Sequence, residues 1–139
     1  MEERYLYRAK RIDNGEWVEG FYFCMEHTDG RHTHHFIIPL GASLEKGTPI
    51  EDIQVEVYQS TICQCTGLKD KNGNKVYIGN IVKCSRGCQH EVIWLEEHGG
   101  SFIGGMPAIY LSGLGNGYAW TGLEEVIGNI FDNPELLEQ

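Results

Sequence analysis

The stretch Thr66-Gly67-Leu68-Lys69-Asp70-Lys71-Asn72-Gly73-Asn74-Lys75-Val76-Tyr77-Ile78-Gly79-Asn80-Ile81-Val82 decides the fold class. A polar tip centred on Asn72-Gly73 separates Leu68 from the apolar run Val76-Tyr77-Ile78. Asn-Gly reaches positive φ at little cost, so the stretch reads as a hairpin or broad loop anchored by its apolar ends. Gly67 and Gly79 are expected where the backbone needs positive φ or a close approach. This is turn chemistry plus core, not chemistry on a substrate.

The same grammar extends outward. Arg4 to Ile12 alternates, with Tyr5, Tyr7 and Ala9 on one side and Arg4, Leu6, Arg8 and Lys10 on the other, which is the period of a half-buried strand. Asp13-Asn14-Gly15 is a turn, and Glu16 to Cys24 completes a hairpin. His32 to Leu40 and Ile53 to Ser60 read as further strands, with a loop over Gly41 to Asp52 between them. Val76 to Ile78, Ile81 to Cys84, Glu91 to Leu95 and Ser101 to Ile103 follow, the last pairing back across Gly99-Gly100. Gly104 to Gly117 is glycine-rich, with a short strand over Pro107 to Leu111 and loop elsewhere. Glu125 to Phe131 is a last strand broken at Gly128. Asn133-Pro134 suits a single helical turn, with Asn133 as cap. No stretch sustains a helical period. The expected fold is mainly β and barrel-like, with at most a short C-terminal helical turn. A composition shift after Thr61 divides it into an N-terminal β subdomain, 1–61, packed on a second subdomain, 62–139.

The chain has 139 residues, a single domain's worth, and 41% of them are hydrophobic, enough for a core. Its formal charge is -9. Up to Thr61 it carries 6 basic and 11 acidic residues, and beyond it 5 and 9, so the acid is evenly spread. Binding a nucleic-acid backbone needs a basic face, which this balance opposes. No apolar run approaches a membrane span, and the start lacks the layout of a signal peptide. A cytoplasmic protein with reduced thiols is expected, and five cysteines fit poorly with a closed disulfide framework.

Three segments, taken together, resemble the YopX-like family of phage and prophage proteins. They are Tyr7-Arg8-Ala9 with Gly15-Glu16-Trp17-Val18-Glu19-Gly20, then Thr66 to Val82, then Leu123 to Leu137 with its Ile127-Gly128-Asn129-Ile130-Phe131-Asp132-Asn133-Pro134 core. The resemblance spans essentially the whole chain. It implies a phage or prophage origin and a C-terminal half resembling an SH3-type barrel. It implies no established activity, so no catalytic residue carries over. The chain departs from the family at Ile78-Gly79-Asn80, where an acidic residue, Gly and Asp are commoner, and at Cys63 and Cys65, where cysteine is unusual.

Candidate chemistry is sparse. Cys63 and Cys65 face one side of a strand, and Cys84 and Cys88 bracket a tight turn with His90 near, a loose zinc-ligand set. Otherwise they are small buried hydrophobes, and no cofactor is expected. His32 and His34 share a strand face, either as two ligands or as a solvated surface, in a segment that also holds His27 and His35. No serine lies in a nucleophile-elbow context, and no cysteine–histidine pair stands out. The doublets Glu96-Glu97 and Glu124-Glu125 point to opposite faces of a strand, so neither is an acid–base pair. The Gly104 to Gly117 loop is not a P-loop. Beside it, Tyr110, Tyr118 and Trp120 either line a groove or close the barrel. The expected function is a non-enzymatic module that binds a host or phage protein or assembles with itself, since exposed strand edges favour an oligomer. The alternatives are a nucleic-acid-binding barrel, a zinc-stabilised or thiol-dependent protein, and an acidic mimic of DNA.

Overall fold

The computed structural model describes residues 3–42, 47–95, 108–113 and 118–138. Among these the chain forms eleven strands and four single 3-10 turns. The strands are β1 (Tyr7–Lys10), β2 (Trp17–Glu26), β3 (Thr33–Pro39), β4 (Val55–Glu56), β5 (Cys63–Lys69), β6 (Lys75–Tyr77), β7 (Asn80–Lys83), β8 (Gln89–Leu95), β9 (Ala108–Leu111), β10 (Tyr118–Ala119) and β11 (Glu125–Asn129). The chain divides into two compact units, Met1–Cys65 and Thr66–Gln139, so the division falls inside β5 rather than at Thr61. One sheet has the order β4-β3-β2-β1-β5-β6 and the other β10-β9-β8-β7-β11, both antiparallel. No helix among the described residues is long and apolar enough to cross a membrane.

In the first unit, β1 and β2 form the expected hairpin, with Lys10 opposite Trp17 and Gly15 at φ 74° in the turn. Trp17 lies under the Arg8 guanidinium, 4.4 Å from its ring centroid, with the Lys10 ammonium at 5.4 Å. Ala9, Ile37 and Val57 form the core, with Tyr7, Val18, Tyr22, Val55 and Ile62 packed on it. The end of β1 turns back on the chain after β4 through an Arg11–Val57 bridge and a Tyr58 N–H to Lys10 carbonyl bond of 2.9 Å. That contact makes the unit barrel-like without closing a continuous barrel.

Two expected strands are shorter than their alternation suggests. Glu3–Tyr5 is a 3-10 turn closed by the Leu6 N–H on the Glu3 carbonyl, and it leaves Tyr5 64% exposed. Ile53 to Ser60 keeps only β4 and the Val57 bridge before the 3-10 turn Gln59–Thr61. There the Thr61 hydroxyl donates to the Tyr58 carbonyl and accepts from the Lys10 N–H, both at 2.8 Å. A side chain thus holds backbone groups that a longer strand would have paired.

In the second unit, Val76, Val82, Val92 and Leu111 form the core, with Leu68, Ile109, Trp120 and Val126 against it. The polar tip is not a solvated charge cluster. Asp70 is buried, and its Oδ1 accepts the N–H groups of Asn72 (2.9 Å) and Asn74 (2.8 Å). Its Oδ2 accepts the Val126 N–H (3.0 Å) and the Asn74 amide (3.2 Å), tying the loop to β11. Burial pushes the Asp70 carboxyl up, but these four donors outweigh it and hold the pKa below the usual value. Gly67 (φ 81°) and Gly79 (φ 96°) occupy the expected left-handed positions. Asn80 accepts the Tyr77 N–H at 2.8 Å, a bond that needs only a side-chain oxygen and that an Asp would also make.

The register of β11 shifts between Val126 and Gly128, where the sequence shows a break. A Cβ at Gly128 would meet the Asn133 side chain. Pro134 opens the expected C-terminal turn, Pro134–Leu137, with Asn133 at the N-cap as expected, but the Asn133 side chain makes no capping bond. Its oxygen accepts the Asn129 N–H instead, at 3.2 Å. Three further 3-10 turns, and β10 just beyond the glycine-rich region and paired to β9, were not expected. The expected strand Ser101 to Ile103 and most of Gly104 to Gly117 lie outside the described residues.

Replacing Asp70 by Ala should cost about 2–4 kcal/mol, because it strands buried N–H groups as well as removing their acceptor. A folded pKa below the unfolded value of about 3.9 gives stability that is complete above that value and lost as pH falls through the folded pKa. Urea unfolding of wild type and Asp70→Asn between pH 6 and 2 should show their gap narrowing below about pH 4. A gap independent of pH contradicts this role.

Candidate functional site

The β7–β8 hairpin builds the site. Its register pairs Ile81 with Glu91, Val82 with His90 and Lys83 with Gln89. The next pair outward is Cys84 with Cys88, joined by the Cys84 N–H on the Cys88 carbonyl at 2.9 Å. Arg86-Gly87 makes the turn, with Gly87 at φ 89° and its N–H on the Cys84 carbonyl. Side chains alternate along a strand, so Val82 and Cys84 share a face with Cys88, His90 and Val92. Val82 and Val92 are fully buried in the core. Beyond them the same face opens into a cavity of about 390 Å³, lined by Cys84, Cys88, His90, Leu111, Tyr118 and Glu124 among others. β9 and β10 continue the sheet beside β8, where Leu111 lies opposite both Val92 and Tyr118. Gly113 leaves room for the Tyr118 ring, which a Cβ there would strike.

His90 is held in a single orientation. Its Nδ1 lies 2.5 Å from the Ser112 carbonyl, which only accepts, so Nδ1 carries the proton. Tyr118 meets the ring edge-on at 5.1 Å between centroids. The remaining ring nitrogen, Nε2, is the one available to the Cys84 thiol, with which the His90 side chain is hydrogen-bonded. Burial pushes the Cys84 thiol up. The side-chain hydrogen bond with His90 and those from the backbone N–H groups of Cys88 and Arg86 outweigh it and bring the pKa to about 7. Glu124 is 1% exposed, and both its oxygens are occupied. It accepts the Thr121 hydroxyl and the Gly122 N–H, each at 2.8 Å, and so shapes the cavity wall.

The other sequence candidates separate. Cys63 and Cys65 belong to the first unit, buried on one face of β5 as expected, with the Cys63 thiol on the Thr61 carbonyl at 3.3 Å. Cys84 and Cys88 belong to the second. Among the described residues no group of three or more His, Cys, Asp or Glu is gathered closely enough to hold a metal. His32 bonds Asp29 at 2.6 Å, His34 bonds Glu56 at 2.9 Å, and His35 is buried with its Nδ1 at 2.6 Å from the Tyr22 hydroxyl. Of the three aromatics, Trp120 packs on the core, Tyr110 is half-buried opposite Ile93, and only Tyr118 reaches the cavity. The Cys84–His90 pair was not singled out by sequence. The signal was there in the spacing of Cys84, Cys88 and His90 about a tight turn, once the register is known.

A second surface lies in the first unit. On the outer face of the β2–β3 hairpin, Phe21 pairs with Ile38, Phe23 with Phe36 and Met25 with His34. The Phe23 and Phe36 rings stack at 5.2 Å. Phe21 is 38% exposed and Met25 59%. The opposite face carries Tyr22, His35 and Ile37 into the core.

The thiolate is the reactive form of cysteine, so Cys84 should alkylate with a pH midpoint near 7. Replacing His90 by Ala should move the Cys84 midpoint up toward the ordinary value of about 8.5. Peptide mass spectrometry of iodoacetamide-treated protein reads both. A Cys84 midpoint unchanged by His90→Ala contradicts the pairing.

The crystal structure of protein EF1440 from Enterococcus faecalis is similar, with a TM-score of 0.53 and 24% identity over 94% of this chain and 96% of that one. At that identity the likeness concerns the fold. No curated protein matches. A family model described as YopX protein matches residues 6–138, nearly the whole length. The chain belongs to the YopX family.

Proposed function

We propose that this YopX-family chain is a non-catalytic protein-interaction module, encoded by a phage or prophage and acting in the cytoplasm of the bacterial host. The observation that carries the reading is the apolar ladder on the outer β2–β3 face: Phe21, Phe23 and Met25 against Ile38, Phe36 and His34. The core of the first unit is supplied from the other face, so folding does not require this ladder to be apolar. A contiguous apolar surface of this kind, half-buried at its centre and exposed at Phe21 and Met25, marks an interaction site. The partner is a protein that presents apolar anchors. A nucleic-acid partner is disfavoured by the charge of -9. The five-stranded antiparallel sheet of the second unit supports reading that unit as an SH3-type barrel.

The test compares wild type with Phe21→Ser/Met25→Glu, whose side chains are exposed enough for the fold to survive. Both are used to capture proteins from nuclease-treated host lysate, with light scattering on each. The expected result is a stoichiometric partner whose binding weakens at least about tenfold, roughly 1.4 kcal/mol, in the variant. A partner retained equally by both proteins overturns the site. A wild-type dimer lost in the variant makes the occupant a second copy and overturns the hetero-partner reading.

A further inference from the structure

The cavity of the second unit carries chemistry that docking on the β2–β3 face does not use. Cys84 and Cys88 are direct cross-strand neighbours, continuing the register of Val82–His90 and Lys83–Gln89. Both line the cavity, as do His90 and Tyr118. Such cross-strand pairs bring their Cα atoms to about 5.5 Å, inside the range of about 4.4–6.8 Å that a disulfide bridges. The two thiols differ in setting. Cys84 is half-buried against His90, whose ring is fixed by the Ser112 carbonyl, while Cys88 is exposed at the turn. A partly buried thiol beside an oriented imidazole, with a second thiol in register and exposed, is an attacking and a resolving cysteine.

We propose that Cys84 and Cys88 form a reversible dithiol–disulfide site that exchanges with low-molecular-weight disulfides entering the cavity. In the first step the Cys84 thiolate attacks one sulfur of the small disulfide. Its S–S bond breaks, one thiolate leaves and takes a proton, and a mixed disulfide remains on Cys84. In the second step the Cys88 sulfur, losing its proton, attacks Cys84. The mixed disulfide breaks, and the second small thiol leaves with that proton. The two protein thiols are oxidised by two electrons, and one small disulfide is reduced to two thiols. His90 holds the proton exchanged with Cys84 at Nε2, since Nδ1 is committed to Ser112. The reaction is a switch of the protein's own state and stands independently of the proposed partner.

The experiment uses the full, reduced chain with glutathione disulfide as the probe and peptide mass spectrometry as the readout. Wild type should form a Cys84–Cys88 bridge that dithiothreitol reverses, with little glutathione retained. Cys88→Ser should accumulate one glutathione, on Cys84. Cys84→Ser should lose the bridge and retain no preferential adduct at Cys88 over Cys24. Circular dichroism of each variant establishes that the fold persists. Adducts spread equally over Cys24, Cys84 and Cys88, or no bridge in wild type, would overturn the proposal.

Discussion

Burial of Val82 and Val92 on one face of the β7–β8 hairpin is the constraint on which the second unit depends. Both side chains are fully buried, beside Val76 and Leu111. A slip of one residue would turn both toward the opposite face, so the register is strongly fixed. Once it is fixed, the alternation of a strand leaves Cys84, Cys88 and His90 no other side to occupy. The core therefore positions the cavity: apolar burial sets the pairing, and the pairing sets which polar groups meet. Loss of a Val methyl group in this core weakens the packing that holds the thiol against the imidazole, without touching either.

Polar side chains then hold what the short strands leave unpaired. Asp70 gathers donors from its own loop and from β11, Asn80 closes the β6–β7 turn, and Asn129 accepts the N–H groups of Phe131 and Asp132. Glu124 does the same for the turn that precedes β11. Buried acceptors of this kind cost stability when they are unmatched, so each is informative about where the backbone bends. The segments Thr66 to Val82 and Leu123 to Leu137 hold these residues.

Much of this was legible in the sequence because strand periodicity and glycine turns are local signals. The hairpins about Asn14-Gly15 and Arg86-Gly87, the break at Gly128 and the left-handed Gly67 and Gly79 all follow from neighbours in the chain. What was not legible depends on distant partners. β4 is short because Val57 answers to Arg11 and His35. Burial of Asp70 has no local signal, because its partner Val126 lies far along the chain. The pairing of Cys84 with His90 needed a register, and the division of the four candidate zinc cysteines between two units needed the fold itself.

The chain thus presents two surfaces of different character: an apolar ladder without ionisable chemistry at its centre, and a cavity with a thiol beside an oriented imidazole. The link between the core and that second site is the orientation of His90, and its tautomer is the most direct evidence for it. Long-range nitrogen–proton NMR on histidine-labelled protein above the imidazole pKa measures that tautomer. The account predicts a His90 ring with the proton on Nδ1, held by the Ser112 carbonyl. A proton on Nε2 would show that the ring is not held as described, and that Cys84 does not meet its lone pair.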